Sequence, residues 1–214
     1  MAIEEKLEPV RANALGQEHK LNLIDSFGIY LSQRKVIREI SKLEKPIHCL
    51  EIGCGFEAKL LSSLTPNIDS GVGVDISIAE KIKNINKLRF VEGYIEDALV
   101  KLKGEKFNLI LGISVLEHLS EPVEVLQNLR ILLSNGGTLL INVPTWKGKF
   151  FLELIAFKLK LSKNAFIEMN DHKMYYDERD LWPLLIKAGF KPSQIEMYYY
   201  KFGLNLFCKI KNLV

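Results

Sequence analysis

The chain has 214 residues, 48% hydrophobic and 26% charged, with a net charge of +3, which is the composition of a soluble globular protein long enough for one domain. The small charge does not favour nucleic acid as a partner, and no run reaches the roughly 18 apolar residues of a membrane span. A polar N-terminus without a signal-like apolar core, and three widely spaced cysteines without a disulfide or zinc pattern, lead us to expect a cytoplasmic protein.

The first predicted element is an amphipathic helix. Between Asp25 and Leu43, apolar residues recur at roughly helical spacing, and the sequence EKP then ends the pattern. We therefore assign residues 1–45 to an N-terminal helical segment that precedes the main body of the fold.

Short apolar runs then alternate with helical segments over residues 46–144. The predicted strands read IHCLEIG, SGVGVDIS, RFVEGYI, FNLILGIS and GGTLLINVP, and the helices between them read AKLLSSL, IAEKIKNINKL, DALVKL and EPVEVLQNLRILL. Strands that are apolar throughout and alternate with helices indicate a parallel sheet covered on both faces. The predicted fold class is therefore α/β, with a Rossmann-like, doubly wound sheet.

The pattern changes after residue 144. Residues 145–176 open with a basic, amphipathic helical insertion, and residues 177–214 contain a helix ending at Gly189 and two extended runs around the turn KFGLN. These runs predict an antiparallel C-terminal hairpin at the edge of the sheet, which brings the predicted total to seven mainly parallel strands. No linker is visible, so we predict one domain over residues 1–214.

The first strand of residues 46–144 ends in a glycine-rich turn. Gly53 and Gly55 belong to a stretch that satisfies the pattern G-x-G-x-x-G/A and ends at Ala58. Glycine lets the backbone pass close to a ligand, and the following helix offers free N–H groups. The match alone does not choose between nucleotide cofactors, and a plain tight turn would also explain it.

Two acidic residues accompany this turn. Asp75 ends the next strand, about 20 residues further on, where a carboxylate can bind both ribose hydroxyls. It could also cap a helix that follows it. Glu51 ends the first strand, where a carboxylate is costly to bury unless something binds it. A cofactor with an amine-bearing amino-acid tail would suit Glu51 better than a pyrophosphate would.

These motifs together resemble a known family. The sequences CLEIGCGFEAKLL, GVGVD, RFVEGYIED, FNLILGISVLEHL, LLSNGGTLLINVP and LIKAGF follow in the order and at the spacing of class I S-adenosylmethionine-dependent methyltransferases. The resemblance covers roughly residues 47–190. It points to the branch that modifies small molecules and glycans, similar to the O-methyltransferases of ubiquinone biosynthesis, and not to DNA methyltransferases, whose motifs do not follow the fourth strand.

The resemblance implies a set of residues around S-adenosylmethionine. They are Glu51, Gly53, Cys54 and Gly55 at the methionine and ribose portions, Asp75 at the ribose hydroxyls, Ile76, Ile95 and Glu96 at the adenine, and Ile113 and Ser114 at the methionine. The chain departs from the family at Tyr94, because an aspartate often follows the preceding glycine in relatives.

The resemblance also implies an acceptor site in the later part of the chain. His172, Tyr175 and Tyr176 precede the last helix, where relatives build this site, and Phe150 lies on the apolar face of the insertion. His172 or His118 would act as the catalytic base, since a neutral histidine can accept the proton of a hydroxyl during methyl transfer.

The sequence VLEHL carries an incomplete metal motif. In some relatives a Glu-x-x-Glu-His motif and a distant histidine bind a metal, but Ser114 stands here in place of the first glutamate. Glu117, His118 and His172 remain as three ligand candidates without a fourth, so we predict no metal. Glu117 is instead expected to order the loop beside the cofactor.

The insertion over residues 145–176 is interpreted as a lid over the acceptor, because the apolar face of a helix is usually buried in its own fold. The alternative is a weak contact of residues 147–163 with an anionic membrane surface, which would suit a lipid-linked acceptor.

The function predicted from the sequence is methyl transfer from S-adenosylmethionine to an oxygen or nitrogen of a small molecule, a sugar or a lipid-linked precursor. The alternatives are an NAD(P)-dependent oxidoreductase and a non-catalytic protein that binds the cofactor. An oxidoreductase leaves Glu51 unexplained, and the sequence has no Tyr-x-x-x-Lys pair. A non-catalytic member would have lost motif glycines or acids, and none is lost.

Overall fold

The computed structural model describes residues 23–154 and 172–213. Within them, seven strands form one sheet in the order β3-β2-β1-β4-β5-β7-β6. The strands are β1 His48–Ile52, β2 Ser70–Asp75, β3 Leu88–Glu92, β4 Phe107–Ile113, β5 Leu133–Pro144, β6 Ile195–Tyr200 and β7 Asn205–Lys211. The first five are parallel to one another, whereas β7 runs antiparallel to both β5 and β6. The predicted mainly parallel sheet with a C-terminal antiparallel hairpin is confirmed.

Helices cover both faces of this sheet. They are α1 Leu23–Ile40, α2 Lys59–Ser63, α3 Ile95–Lys101, α4 Pro122–Leu132, α5 Trp146–Glu153 and α6 Glu178–Lys187. Buried side chains of α1 and α2 belong to one apolar cluster, and those of α3, α4 and α6 belong to a second cluster. This division into two layers is the doubly wound arrangement that the apolar strands predict. No helix of the described residues has the length and apolar character that crossing a membrane requires.

The segment IAEKIKNINKL forms only a single 3₁₀ turn, Glu80–Ile82, where the sequence predicts a helix. The backbone N–H of Ile78 donates to the carboxylate of Glu92 at 2.9 Å, and the N–H of Ala79 donates to the carbonyl of Phe56 at 2.9 Å. Those two bonds hold Ile78 and Ala79 against Glu92 and Phe56. Their N–H groups are therefore bonded outside the segment, and the helical turn begins only at Glu80. The two asparagines that follow compete further, since their side chains bond readily to the local backbone.

The carboxyl ends of β1, β2, β4 and β5 meet at one edge of the sheet, which we call the carboxyl edge. Because β7 runs the other way, its first residue, Asn205, pairs with Pro144 at the end of β5. The turn between β6 and β7 therefore lies at the carboxyl edge too. In open α/β sheets, ligands bind at this edge, where the order of the strands reverses; here the reversal lies between β1 and β4.

Candidate active site

The glycine turn after β1 needs glycine for two physical reasons. Gly53 and Gly55 have φ angles of +63° and +75°, in the left-handed region that favours glycine. A Cβ placed on Gly53 would also lie 2.3 Å from Cγ2 of Val115, far inside any tolerated contact. The glycine turn after β1 therefore packs directly against the loop after β4, and both loops lie at the carboxyl edge.

Cys54 takes part in this turn through its backbone. Its N–H donates to the carbonyl of Val74 at 3.0 Å, which ties the turn to β2. Its side chain is buried, and Sγ would lie 2.9 Å from a Cβ built on Gly73. Burial raises the pKa of the Cys54 thiol far above its ordinary value. The side chain therefore packs against the sheet, and only the backbone of Cys54 is placed to meet a ligand.

Asp75, at the end of β2, holds the glycine turn in place. One carboxylate oxygen accepts from the N–H of Gly55 at 2.7 Å, and the other accepts from the N–H of Ile76 at 2.8 Å. The next helical turn, Glu80–Ile82, is capped by Ala79, so the alternative role of Asp75 as a helix cap is wrong. Asp75 is only 8% exposed, and it fixes the turn from the position at which the sequence predicts a ribose-binding carboxylate.

Glu51 is a buried carboxyl at the end of β1. It is 3% exposed, and one oxygen accepts from the N–H of Leu61 in α2 at 3.0 Å. Burial raises the pKa of Glu51 to about 8, the Leu61 hydrogen bond opposes the rise, and the negative charge of Asp75 adds to it. Within residues 23–154 and 172–213, Leu61 N–H is the one hydrogen-bond donor observed on this carboxyl, so a cationic group would be a favourable neighbour for its charged form.

This pKa makes the stability of the ligand-free protein depend on pH. The folded carboxyl keeps its proton up to about pH 8, while the unfolded one loses it near 4.5, so the free energy of unfolding falls as pH rises across that interval. We expect the difference in free energy of unfolding between the wild type and Glu51→Gln to change by about 3 kcal/mol between pH 5 and pH 8, in favour of the variant at pH 8. Urea titrations at both pH values measure it, and parallel pH profiles would contradict it.

The residues predicted beside the adenine follow β2 and β3. The N–H of Gly93 donates to the carbonyl of Asp75 at 3.0 Å, so the start of α3 lies next to Asp75. Ile76 is half-buried, Ile95 packs against the core, and Glu96 is a half-buried acid in the first turn of α3. Their assignment to the adenine stays a prediction. Tyr94, which replaces the common aspartate, is 52% exposed.

The end of β4 is joined to β5 by a buried amide that the sequence prediction missed. Ser114, directly after the half-buried Ile113, has a φ of +56° and donates its N–H to the carbonyl of Asn142 at 2.8 Å. The side-chain amide of Asn142 lies 3.4 Å from Oγ of Ser114. Asn142 is 1% exposed. Its signal in the sequence is a single amide within the apolar run LLINVP.

Two histidines predicted as alternative bases lie together. The rings of His118 and His172 are 4.9 Å apart between centroids, and Nδ1 of His172 lies 3.1 Å from the hydroxyl of Tyr175. The buried carboxylate of Glu117 is beside them, and one ligand atom from each of Glu117, His118 and His172 lies within 4.8 Å of the others. The structure therefore gathers a carboxylate, two imidazoles and a phenol into one group, which we call the histidine cluster.

Main-chain contacts fix this cluster to the end of β5. The N–H groups of Lys173 and Met174 donate to the carbonyl of Glu117 at 2.8 and 3.3 Å, and the N–H of Tyr176 donates to Pro144 at 3.0 Å. Tyr176 is predicted to face the acceptor, but that prediction is wrong. Its ring is 2% exposed within the apolar core, and its hydroxyl donates to the carbonyl of Leu116 at 3.3 Å. Tyr176 anchors the cluster, and burial raises its pKa to about 12.

The predicted lid begins at α5. Thr145 caps this helix, because its hydroxyl oxygen accepts from the N–H of Gly148 at 3.0 Å. Phe150, predicted to contact the acceptor, is 67% exposed on α5. Residues 155–171, which make up more than half of the lid predicted over residues 145–176, lie outside the described residues.

Comparisons with known proteins agree with this geometry. A model of the methyltransferase domain matches residues 25–195. No curated protein is significantly similar in sequence to the chain. Among solved structures, magnesium protoporphyrin IX methyltransferase from Synechocystis PCC 6803, with S-adenosylhomocysteine bound, is 17% identical with a TM-score of 0.63, over 94% of this chain and 93% of that one.

Two further structures share the fold at similar distance. The N-methyltransferase NodS from Bradyrhizobium japonicum WM9, also with S-adenosylhomocysteine, is 16% identical with a TM-score of 0.58, over 86% of both chains. An O-methyltransferase family protein from Burkholderia thailandensis is 16% identical with a TM-score of 0.60, over 85% of this chain and 56% of that one. The chain thus spans little more than half the length of some structures that it matches.

The family model covers most of the chain, and the chain belongs to the methyltransferase domain family. The class predicted from the sequence, the class I S-adenosylmethionine-dependent methyltransferases, is confirmed by this match and by the sheet order.

Proposed function

We propose that the chain transfers a methyl group from S-adenosylmethionine to an oxygen or nitrogen of a small molecule, a sugar or a lipid-linked precursor. The observation that carries this proposal is the position of the histidine cluster. Two of its members, Glu117 and His118, come two and three residues after Val115, which contacts the glycine turn. Val115 contacts Gly53, and the 3₁₀ turn Leu116–His118 begins at the next residue. A proton acceptor and a cofactor turn therefore lie side by side at the carboxyl edge.

The residues present fit S-adenosylmethionine. The glycine turn presents its backbone without a side chain at Gly53, Asp75 stands beside it with a carboxylate, and Glu51 offers a buried carboxyl that favours a cationic neighbour. Glu51, Gly53, Gly55 and Asp75 would hold the amino-acid and ribose portions. When bound, the cofactor supplies a methyl group activated by a sulfonium.

The histidine cluster would remove the proton of the acceptor. In this arrangement His172 or His118 accepts the proton, and the buried carboxylate of Glu117 stabilises the imidazolium that forms. The hydroxyl of Tyr175, bonded to Nδ1 of His172, would hold that ring in one orientation. Alignment of the acceptor with the methyl donor would supply the rest of the rate enhancement.

A second candidate is assistance by a divalent cation, favoured by the same three side chains. Two ligands at about 2.1 Å from a zinc ion lie at most about 4.2 Å apart, and the present separations reach 4.8 Å. A small rotation of one side chain would thus create a three-ligand site of the kind that catalytic metals occupy. Dialysis against a chelator separates the candidates: activity that persists in metal-free buffer supports a histidine base, and activity restored only by added zinc or magnesium supports a cation.

The proposed function is tested by incubating the protein with S-adenosylmethionine carrying an isotope-labelled methyl group and a metabolite extract. A product heavier by the labelled methyl is expected with the wild type and not with Asp75→Ala. In parallel, titration calorimetry measures the affinity of the protein for S-adenosylhomocysteine and for NADH. Binding of NADH alone would support an oxidoreductase. A non-catalytic role would be supported if the protein binds S-adenosylhomocysteine but forms no labelled product from extracts that contain phenols, amines and lipid-linked sugars.

A further inference from the structure

The turn between β6 and β7 carries a lysine whose side chain is directed inward. Lys201, the residue directly after β6, is half-buried and has a φ of +50°, a left-handed conformation that is uncommon outside glycine. Its Nζ donates to Oγ of Ser32 in α1 at 2.8 Å and lies 5.2 Å from the centre of the Tyr200 ring. Oγ of Ser32 lies 3.1 Å from the hydroxyl of Tyr200. We call Lys201, Ser32 and Tyr200 the lysine cluster.

The lysine cluster contains a cation that the described part of the chain does not neutralise. Within residues 23–154 and 172–213, no carboxylate forms an ion pair with Lys201, whereas the buried carboxylate of Glu39 pairs with Lys35, Lys42 and Lys209. Burial lowers the pKa of Lys201 to about 8, and no charged group of the described residues offsets this effect. An anion placed against the amine would favour its charged form.

The hydroxyl groups of the cluster add hydrogen-bonding capacity without negative charge. Burial raises the pKa of Tyr200 to about 12, so its phenol keeps its proton at neutral pH. An ammonium group has three N–H donors, and Ser32 is the one acceptor observed on Nζ of Lys201 in the part of the chain that the structure describes. An ammonium beside two hydroxyls suits a carboxylate or a phosphate, whose oxygens accept from charged and neutral donors together.

The lysine cluster lies at the carboxyl edge. Tyr200 pairs with Asn205, and Asn205 pairs with Pro144 at the end of β5. The hydroxyl of Thr145, the next residue after Pro144, donates to the carbonyl of Gly203 in the β6–β7 turn at 2.7 Å. The turn that contains Lys201 is therefore fixed to the end of β5, at the edge where ligands of α/β sheets bind.

The start of α5 connects this turn to the histidine cluster. Trp146, the first residue of α5, follows Thr145, and its ring lies 5.7 Å from the ring of Tyr175 between centroids. The hydroxyl of Tyr175 lies 3.1 Å from Nδ1 of His172. A molecule that lies across the ends of β5 and β7 could therefore meet the histidine cluster with one end and the lysine cluster with the other.

We propose that the lysine cluster binds an anionic group, a carboxylate or a phosphate, of the methyl acceptor. This inference rests on the proposed function, and it narrows the acceptor to an acid or a phosphate ester. Pairing with the anion would offset the cost of burying the ammonium of Lys201. It would also hold the far end of the acceptor, so that the oxygen or nitrogen to be methylated is aligned with the methyl donor.

The anion site is tested without the reaction, by labelling lysines with an N-hydroxysuccinimide ester and locating the label by mass spectrometry. Sodium phosphate or sodium acetate replaces sodium chloride at constant ionic strength. Lys201 is expected to react about tenfold more slowly when the better anion saturates the site, because pairing favours the ammonium, which does not react. Lys103, exposed between α3 and β4 at the opposite edge of the sheet, is the control and should react at an unchanged rate. Stronger protection by phosphate indicates a phosphate ester, and stronger protection by acetate indicates a carboxylic acid.

Kinetics test whether the anion belongs to the acceptor. The product of the incubation with isotope-labelled S-adenosylmethionine is expected to be retained by an anion-exchange resin. Lys201→Met is expected to raise KM for that acceptor about 10–100-fold with a much smaller change in kcat. Lys201→Arg keeps the charge and should recover part of the loss, and Lys103→Met should match the wild type. Unchanged affinity for S-adenosylhomocysteine shows that each variant is folded.

Several outcomes would overturn the proposal. They are labelling of Lys201 that neither anion slows, a labelled product that the resin does not retain, and an unchanged KM in Lys201→Met. Protection of Lys201 by an anion, together with the absence of any labelled product, would support the anion site and contradict methyl transfer. The anion site and the proposed function can therefore fail separately.

Discussion

Replacing His172 by alanine is expected to lower kcat by about 10²–10⁴-fold for a hydroxyl acceptor while leaving the affinity for S-adenosylhomocysteine nearly unchanged. A histidine base contributes to the reaction only while it is neutral. The rate should therefore fall at acidic pH, where a protonated imidazole can no longer accept a proton. This dependence should disappear in the variant if His172 is the base. Initial rates measured from about pH 5.5 to about pH 8.5, a range that spans the ordinary pKa of histidine, test both effects.

The same measurements on His118→Ala identify which of the two rings accepts the proton. The rings lie 4.9 Å apart, so geometry alone favours neither one. His172→Gln is a useful companion because it keeps hydrogen-bonding capacity towards Tyr175 without a titratable ring. If His118→Ala and His172→Ala both retain the wild-type rate, and a chelator has no effect, then alignment of donor and acceptor carries the reaction and both base assignments are wrong.

Replacing Asp75 by alanine is expected to weaken S-adenosylhomocysteine binding by at least about 10–100-fold. A hydrogen bond to a charged group contributes about 1.5–3 kcal/mol, and Asp75 would bond the ribose while it also accepts from Gly55 and Ile76. The loss therefore combines direct contact with loosening of the glycine turn. Titration calorimetry measures the affinity, and an unchanged dissociation constant would remove Asp75 from the site.

Asp75→Asn separates the two contributions. Asparagine keeps one side-chain oxygen, so it can still accept from Gly55 and hold the turn. We expect its free energy of unfolding to lie nearer the wild type than that of Asp75→Ala, while its affinity for the cofactor is still reduced. Equal affinity in Asp75→Asn and the wild type would assign the role of Asp75 to the turn alone.

The sheet could be predicted from the sequence because its strands are buried on both faces. A continuous apolar run such as LLINVP indicates a buried strand in a chain of alternating elements, and the acids Glu51 and Asp75, at the ends of β1 and β2, mark the carboxyl edge. The segment after Asp75 was harder, since its apolar spacing suits a helix. The competing bonds come from Glu92 and Phe56, which are distant in sequence, so no local pattern announces them.

The candidate site was predictable in its residue types and less so in their orientation. Glycine and carboxylate positions follow from the chemistry that a nucleotide cofactor demands, and these lie at the carboxyl edge. The adjacent tyrosines illustrate this: both are buried, but the hydroxyl of Tyr175 lies beside His172 whereas the ring of Tyr176 packs in the apolar core. Which of the two enters the core depends on the hydrogen bond from Tyr176 to Pro144, a contact made only after folding.

The position of β7 has a consequence for how the chain is synthesised. It leaves the ribosome after both of its partners, yet it lies between β5 and β6. Until residue 211 has emerged, β5 presents an unpaired, apolar edge, and β6 has no strand to pair with. Exposed edges of this kind recruit other chains. The nascent protein is therefore most prone to aggregate in the interval before β7 pairs with β5 and β6. Chaperones that bind exposed strand edges would be most useful during this interval.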